Sequence, residues 1–182
     1  MFERIRMRGK VTVRVLDSTG KIKRRKPGLI RKMLKLPGKK MEVVNHNIVT
    51  SQGDALLADW ISDVPTKTVI DGANGYIAVG TGWTGNSPKS NTTCNTPTGA
   101  RKIMDAGYPM TKGAFGAADD NITVYRATFA AGNLNVSGID EAALMNHITA
   151  GDCLAYAQVT PEVNVTVNDT LQIEWEITFL GS

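Results

Sequence analysis

Three glycines, Gly80, Gly82 and Gly85, follow the apolar run Tyr76-Ile77-Ala78-Val79 at the spacing with which dinucleotide-binding proteins cradle a pyrophosphate. That chemistry needs a helix to open at the glycines and offer its first amides to phosphate. The segment after Gly85 is polar and interrupted by Pro88 and Pro97, so the expectation is a core strand leaving into a surface loop, its glycines, Gly82 among them, supplying positive-φ turns. The other reactive side chains are equally sparse. His46 and His147 stand at no ligand spacing from another His, Cys or carboxylate, and Cys94 and Cys153 form neither a zinc motif nor a redox pair. The neighbours Asp119-Asp120 and Asp140-Glu141 point apart on a strand or a helix, which suits solvated charges better than an acid/base couple. Glu174 and Glu176 do share a strand face, expected to be wet or turned to a partner. No Gly-x-Ser-x-Gly or Gly-Lys-Ser/Thr element is present. The expectation is a protein that is not an enzyme and takes no cofactor and no metal.

Charge is the feature that is not ordinary. Residues 1–40 carry fifteen Lys/Arg against Glu3 and Asp17, a net +13, whereas the rest carries six Lys/Arg against fifteen acids, a net −9. A basic arm on an acidic body calls for an anionic partner or for assembly of arm onto body. Within the arm the candidate partner-binding residues are Arg14, Lys23, Arg24, Arg25, Leu29, Ile30, Arg31, Lys32, Met33, Leu34 and Lys35. Leu29, Ile30, Met33 and Leu34 would line one side of a short helix whose other side is basic, bracketed by Pro27-Gly28 and Pro37-Gly38. About two turns cannot stand alone in water, so the piece must lie on something. Nucleic acid would also neutralise these cations, but residues 3–40 hold no aromatic side chain for stacking. The short helix and missing Trp argue against a membrane surface.

The elements that must position these groups are mostly strands. Val11, Val13 and Val15 alternate with Lys10, Thr12 and Arg14, a half-exposed strand turning at Asp17–Gly20 into a short return over Lys21–Lys23. One helix is expected, with Ser51 as N-cap and Leu56, Leu57, Trp60, Ile61 and Val64 at helical spacing up to Pro65. Ile122 to Phe129 alternates, Ile139 to Met145 fits a helical turn or an extended piece equally, and Cys153 to Val167 reads as two strands broken at Pro161. In the last strand Leu171, Ile173, Trp175, Ile177 and Phe179 share a face. The expected core is Trp60, Ile77, Val79, Ile173, Trp175, Ile177 and Phe179, with Tyr76 packing beside Trp175 and Ile177. The pattern predicts a mainly β chain: an antiparallel β-sandwich, jelly-roll-like, over residues 45–182, with one short helix near its start. Residues 1–44 form an extended basic N-terminal arm, a hairpin plus a short amphipathic helix. The longest apolar runs are too short to span a bilayer, and no secretory signal stands at the N-terminus, so manufacture and use without export are expected.

Four features then occur in order: Asn47-Ile48-Val49-Thr50 leading to Gly53 and Leu56-Leu57; Tyr76 to Gly82; Ile139-Asp140-Glu141-Ala142-Ala143-Leu144; and the closing Leu171 to Phe179. Together, over about residues 45–179, they resemble a broad family of small virion structural proteins of tailed bacteriophages, capsid decoration (cement) or tail-associated components. Ala143 stands where the pattern leads to a glycine, and the basic arm is longer than usual. The resemblance implies a β-rich assembly protein of the virion, made in the host cytoplasm. It would act as a homo-oligomer, a trimer favoured, bound to the major capsid protein or, alternatively, placed in the tail, baseplate or fibre attachment.

Overall fold

The computed structural model describes residues 6–85 and 89–180, so expectations touching residues 1–5, Asn86-Ser87-Pro88 and 181–182 lie outside the described residues. The elements are β1 (Arg6–Leu16), α1 (Leu29–Met33), β2 (Glu42–Val49), α2 (Ser51–Trp60), β3 (Tyr76–Gly80), β4 (Lys102–Ile103), β5 (Met110–Thr111), β6 (Ile122–Phe129), β7 (Val136–Met145), β8 (Cys153–Val165) and β9 (Thr170–Leu180). The chain is mainly β, and its nine strands form one antiparallel sheet in the order β4-β3-β7-β8-β2-β1-β9-β6-β5, curled into a half-barrel. Its two ends are tied at Asp105. The Asp105 amide donates to the Arg126 carbonyl at 2.8 Å, and its carboxylate accepts from the Thr128 amide and Arg126 Nε, each at 2.9 Å. These bonds cover the part of the β6 edge that the two-residue β5 leaves unpaired.

A single sheet replaces the two layers of the expected sandwich, and β1 is the reason. Without β1 the order falls into two groups, β4-β3-β7-β8-β2 and β9-β6-β5, the sets a sandwich would face against each other. Strand β1 pairs with β2 on one side and β9 on the other and makes them continuous. Val11, Val13 and Val15 lie opposite Trp175, Ile173 and Leu171 and are 0% exposed. The stretch expected to open a basic arm is therefore a central strand through residue 16, and the chain projects only beyond it. Its alternation is as expected, with one face apolar and inward; the other carries Lys10, Thr12 and Arg14.

The inner face holds one core containing Ile77, Val79, Ile173, Trp175 and Ile177, with Trp60 and Phe179 partly buried against it. Tyr76 departs from expectation. It neighbours Ile77 in the same strand, so its side chain takes the opposite face and joins Ala78, Cys94, Ala143, Met145, Cys153 and Tyr156 in a second cluster. Strands β3, β7 and β8 are thus apolar on both faces, which resolves the ambiguous run Ile139–Met145 as strand. Strand β8 passes through Pro161 unbroken, because the β7–β8 register jumps from Ile139↔Val163 to Glu141↔Gln158 and leaves Pro161 in a bulge where no ladder bond is needed. The N-cap of α2 is Thr50, one residue earlier than expected, its hydroxyl accepting from the Gly53 amide at 2.9 Å. The helix ends at Trp60, leaving Ile61 and Val64 outside it and exposed. Among the described residues no helix is long and apolar enough to cross a membrane.

Candidate functional site

Between β1 and β2 the chain makes an excursion, residues 17–41, built as a stalk and a tip. Asp17 starts it: its carboxylate accepts from the Thr19 amide at 2.9 Å and the Lys21 amide at 3.2 Å, and Gly20 at φ 77 completes the turn. The two legs then pair, with Lys23 N–H donating to the Val15 carbonyl at 2.8 Å, Met41 N–H to the Lys23 carbonyl at 2.7 Å and Arg25 N–H to the Lys39 carbonyl at 2.9 Å. Gly38 lets the legs close, since a Cβ there would run into the Arg25 carbonyl. At the tip α1 ends in a left-handed turn at Lys35, φ 52, with Leu36 N–H bonded to the Arg31 carbonyl at 2.8 Å and Lys35 N–H to the Lys32 carbonyl at 3.1 Å.

The stalk base and the tip differ in what holds their charges. Arg14 sits on the sheet, its Nε 2.8 Å from Glu42 and its NH1 group 3.6 Å from Glu174. Lys23 donates to Asp169 at 2.6 Å. Burial pushes the Asp169 carboxyl up, but Lys23 and the Thr166 hydroxyl and amide outweigh it and hold the group below its ordinary value. These two cations, expected to face a partner, are spent within the chain. Beyond Lys23 the pattern changes. The side chains of Arg24, Arg25 and Arg31 donate to the carbonyls of Gly38, Glu162 and Pro37, and among the described residues no ion pair involves them or Lys26, Lys32, Lys35, Lys39 and Lys40. Residues 24–40 hold eight Lys/Arg and no acid. Leu29, Ile30, Met33 and Leu34 are 75%, 73%, 75% and 64% exposed, so among the described residues nothing covers the apolar stripe. A projection combining uncovered apolar side chains with unpaired cations suits an acidic protein surface with apolar pockets.

A second cluster was missed in the sequence. Glu141, expected to be solvated, is wholly buried and accepts from the amides of Gly82 at 3.1 Å, Asn95 at 2.9 Å and Thr96 at 2.9 Å, and from the Tyr156 hydroxyl. Asp140 beside it accepts from the Trp83 amide at 3.1 Å, and Trp83 stacks on Tyr156 with ring centroids 5.9 Å apart. Burial, reinforced by the hydrogen bond to Glu141, pushes the Tyr156 phenol far above its ordinary range. Every donor around Glu141 is a backbone amide or that phenol, so the carboxylate works as a clasp that pins the loop after β3 onto the outer face of β7 and β8. The one sequence signal was an acid embedded in an otherwise apolar run. The three glycines open this loop: Gly80 ends β3, and Gly82 lies outside the left-handed region, where a Cβ would come within 2.6 Å of the Thr96 amide nitrogen. Only Gly85, at φ 94, is left-handed, and no helix follows among the described residues.

His46 and His147 are exposed, the Nδ1 of His147 accepting from the Thr149 and Ala150 amides. Among the described residues no three His, Cys, Asp or Glu side chains gather as metal ligands. The chain matches no family model, no curated protein and no solved structure.

Proposed function

We propose that the protein is a non-enzymatic structural component of a tailed-phage virion, a capsid decoration protein that binds the outer shell and grips neighbouring subunits with the tip of its excursion. The observation that carries the reading is the tip itself: four exposed apolar side chains among cations with no ion pair among the described residues, held out on a hydrogen-bonded stalk. The ordered sequence features that resemble virion proteins supply the setting. A shell filled with packaged DNA is under outward load, and a projection that buries apolar surface on one subunit while the sheet rests on another raises the cost of separating them. Partners are the major capsid protein and further copies of this chain.

Removal of residues 1–44 cannot test this, because β1 lies in the centre of the sheet. The informative variant replaces residues 27–37 with a two-residue Asn-Gly turn, which suits the paired legs and leaves β1 intact. Co-sedimentation with shells of the major capsid protein should weaken about a hundredfold or more, since two of the four side chains fully desolvated supply about 3 kcal/mol. Undiminished binding would overturn the reading. Binding to duplex DNA that falls steeply with salt and is lost with the same replacement would instead assign the tip to nucleic acid. Copy number per particle separates a decoration protein, present in hundreds, from a tail or baseplate part.

A further inference from the structure

We propose that the tip of one copy receives the Phe115 hairpin of another, so that copies associate head to tail. This deepens the reading above by naming one neighbour of the tip as a second copy of this chain. Phe115 is fully exposed at the end of the turn between β5 and β6. The turn is braced: Ala117 N–H donates to the Ala114 carbonyl at 2.9 Å, Gly116 N–H to Asp120 Oδ2 at 2.7 Å, and Ile122 N–H to the Asp119 carbonyl at 3.2 Å. Gly116, at φ 87, supplies the left-handed residue this reversal needs. A large aromatic side chain held out on a stiff turn is the form an interface anchor takes.

Charge points to the occupant. Asp119 and Asp120 follow Phe115 in the same turn, and Lys112, which shares Glu176 with Lys10, is the one cation of residues 112–120, so the hairpin's own two acids outnumber it and it presents an apolar anchor with net negative charge. The tip presents the complement, Leu29, Ile30, Met33 and Leu34 among Arg31, Lys32 and Lys35. Topology forbids the two from meeting within one chain. Ile122 and Arg8 both lie opposite Thr178, and Phe129 and Val15 both lie opposite Leu171, so β6 and β1 run in the same direction. The hairpin precedes β6 and the excursion follows β1, which places them at opposite ends of the sheet, separated by a strand length of about 25 Å. Unlike patches at opposite ends form a heterologous contact, which closes into a ring or runs on as a filament.

The test is sedimentation velocity of the full chain from about 1 to 100 µM, the range in which an interface of modest size is populated. The chains are wild type, Phe115→Asp, and the double variant Leu29→Asp with Met33→Asp; all three sites are exposed, and circular dichroism checks that each variant folds. Association of the wild type, loss of at least about a hundredfold in each variant alone, and a capped one-to-one complex on mixing the two variants are expected. A monomeric wild type, a variant that associates like the wild type, or two monomeric variants that stay monomeric when mixed would each overturn the proposal. Shell binding by the same chains separates this from the virion reading. A monomeric wild type that binds shells through its tip sinks only the head-to-tail contact, and an associating chain that ignores shells sinks only the decoration role.

Discussion

The two halves of the sheet solve the same problem in opposite ways. Strands β3, β7 and β8 are apolar on both faces, and their outer face is covered by the loop that Glu141 clasps. Strands β1, β9 and β6 bury chiefly the inner face, and the outer face, where Thr12 and Val124 are also buried, carries ion pairs, Lys10 to Glu176 at 2.7 Å, Lys112 to Glu176 at 2.9 Å and Arg14 to Glu42 at 2.8 Å. A covered face needs a fixed polar anchor because its loop brings backbone amides out of water. A wet face needs only charges of matched sign, each pair contributing little. One carboxylate in the covered half therefore matters more than several in the wet half.

Substitution at that carboxylate breaks the comparison hardest. Glu141→Ala removes the buried acceptor that three part-buried amides and the Tyr156 hydroxyl share and should cost about 3 kcal/mol or more, whereas Glu174→Ala on the wet face should cost less than about 1 kcal/mol. Chemical denaturation of both variants checks this, and similar losses would remove the distinction between the halves. Gly82→Ala comes next, at about 1–3 kcal/mol, from forcing a methyl against Thr96 rather than from backbone strain. A neutral result would mean that the loop yields easily there and is not clamped.

Acid probes the wet half. Burial raises the Glu176 carboxyl, but hydrogen bonds from Lys10 and Lys112 bring it below 4.5, and Asp169 likewise sits below 3.8. Groups with lowered folded values stabilise the fold above their ordinary values, and that stability is lost as pH falls through the lowered ones. The unfolding midpoint should thus drop below about pH 4, and Glu176→Gln should make the drop shallower. A variant with an unchanged profile would show that the Glu176 pairs do not contribute. The smallest effect is expected at the cysteines of the covered face. Burial, with Glu141 nearby, pushes the Cys94 thiol well above 9, and burial pushes Cys153 to about 12. Native protein at mild alkaline pH should take up no alkylating label by intact mass, and unfolded protein should take up two, one for each cysteine. Labelling of the native chain would indicate that the loop opens.

Legibility in the sequence divides along the same line. Alternation in β1, β6 and β9 was plain because one face is wet, and it identified Trp175, Ile173 and Ile177 as core. It vanished in β7, where both faces are buried and Ile139–Met145 carries no period. Glu141 was misjudged because adjacency to Asp140 suggests solvent, while the amides that bind it come from residues 82, 95 and 96, distant in the chain. The place of β1 was hidden by its cations: Lys10 and Arg14 look like an arm until Glu42, Glu174 and Glu176 are found beside them. The tip was legible as a two-turn apolar and basic piece between proline breakers. Its lack of cover among the described residues was not, since exposure depends on what the rest of the fold reaches.

The proposed function makes the sheet a fixed scaffold and the tip its contact surface, and hydrogen exchange read residue by residue on free and shell-bound protein tests that division most directly. Amides of residues 28–36 should gain protection on the shell while those of β1, already bonded to β2 and β9, stay unchanged. Bound protein whose tip amides exchange as fast as in the free chain would contradict it.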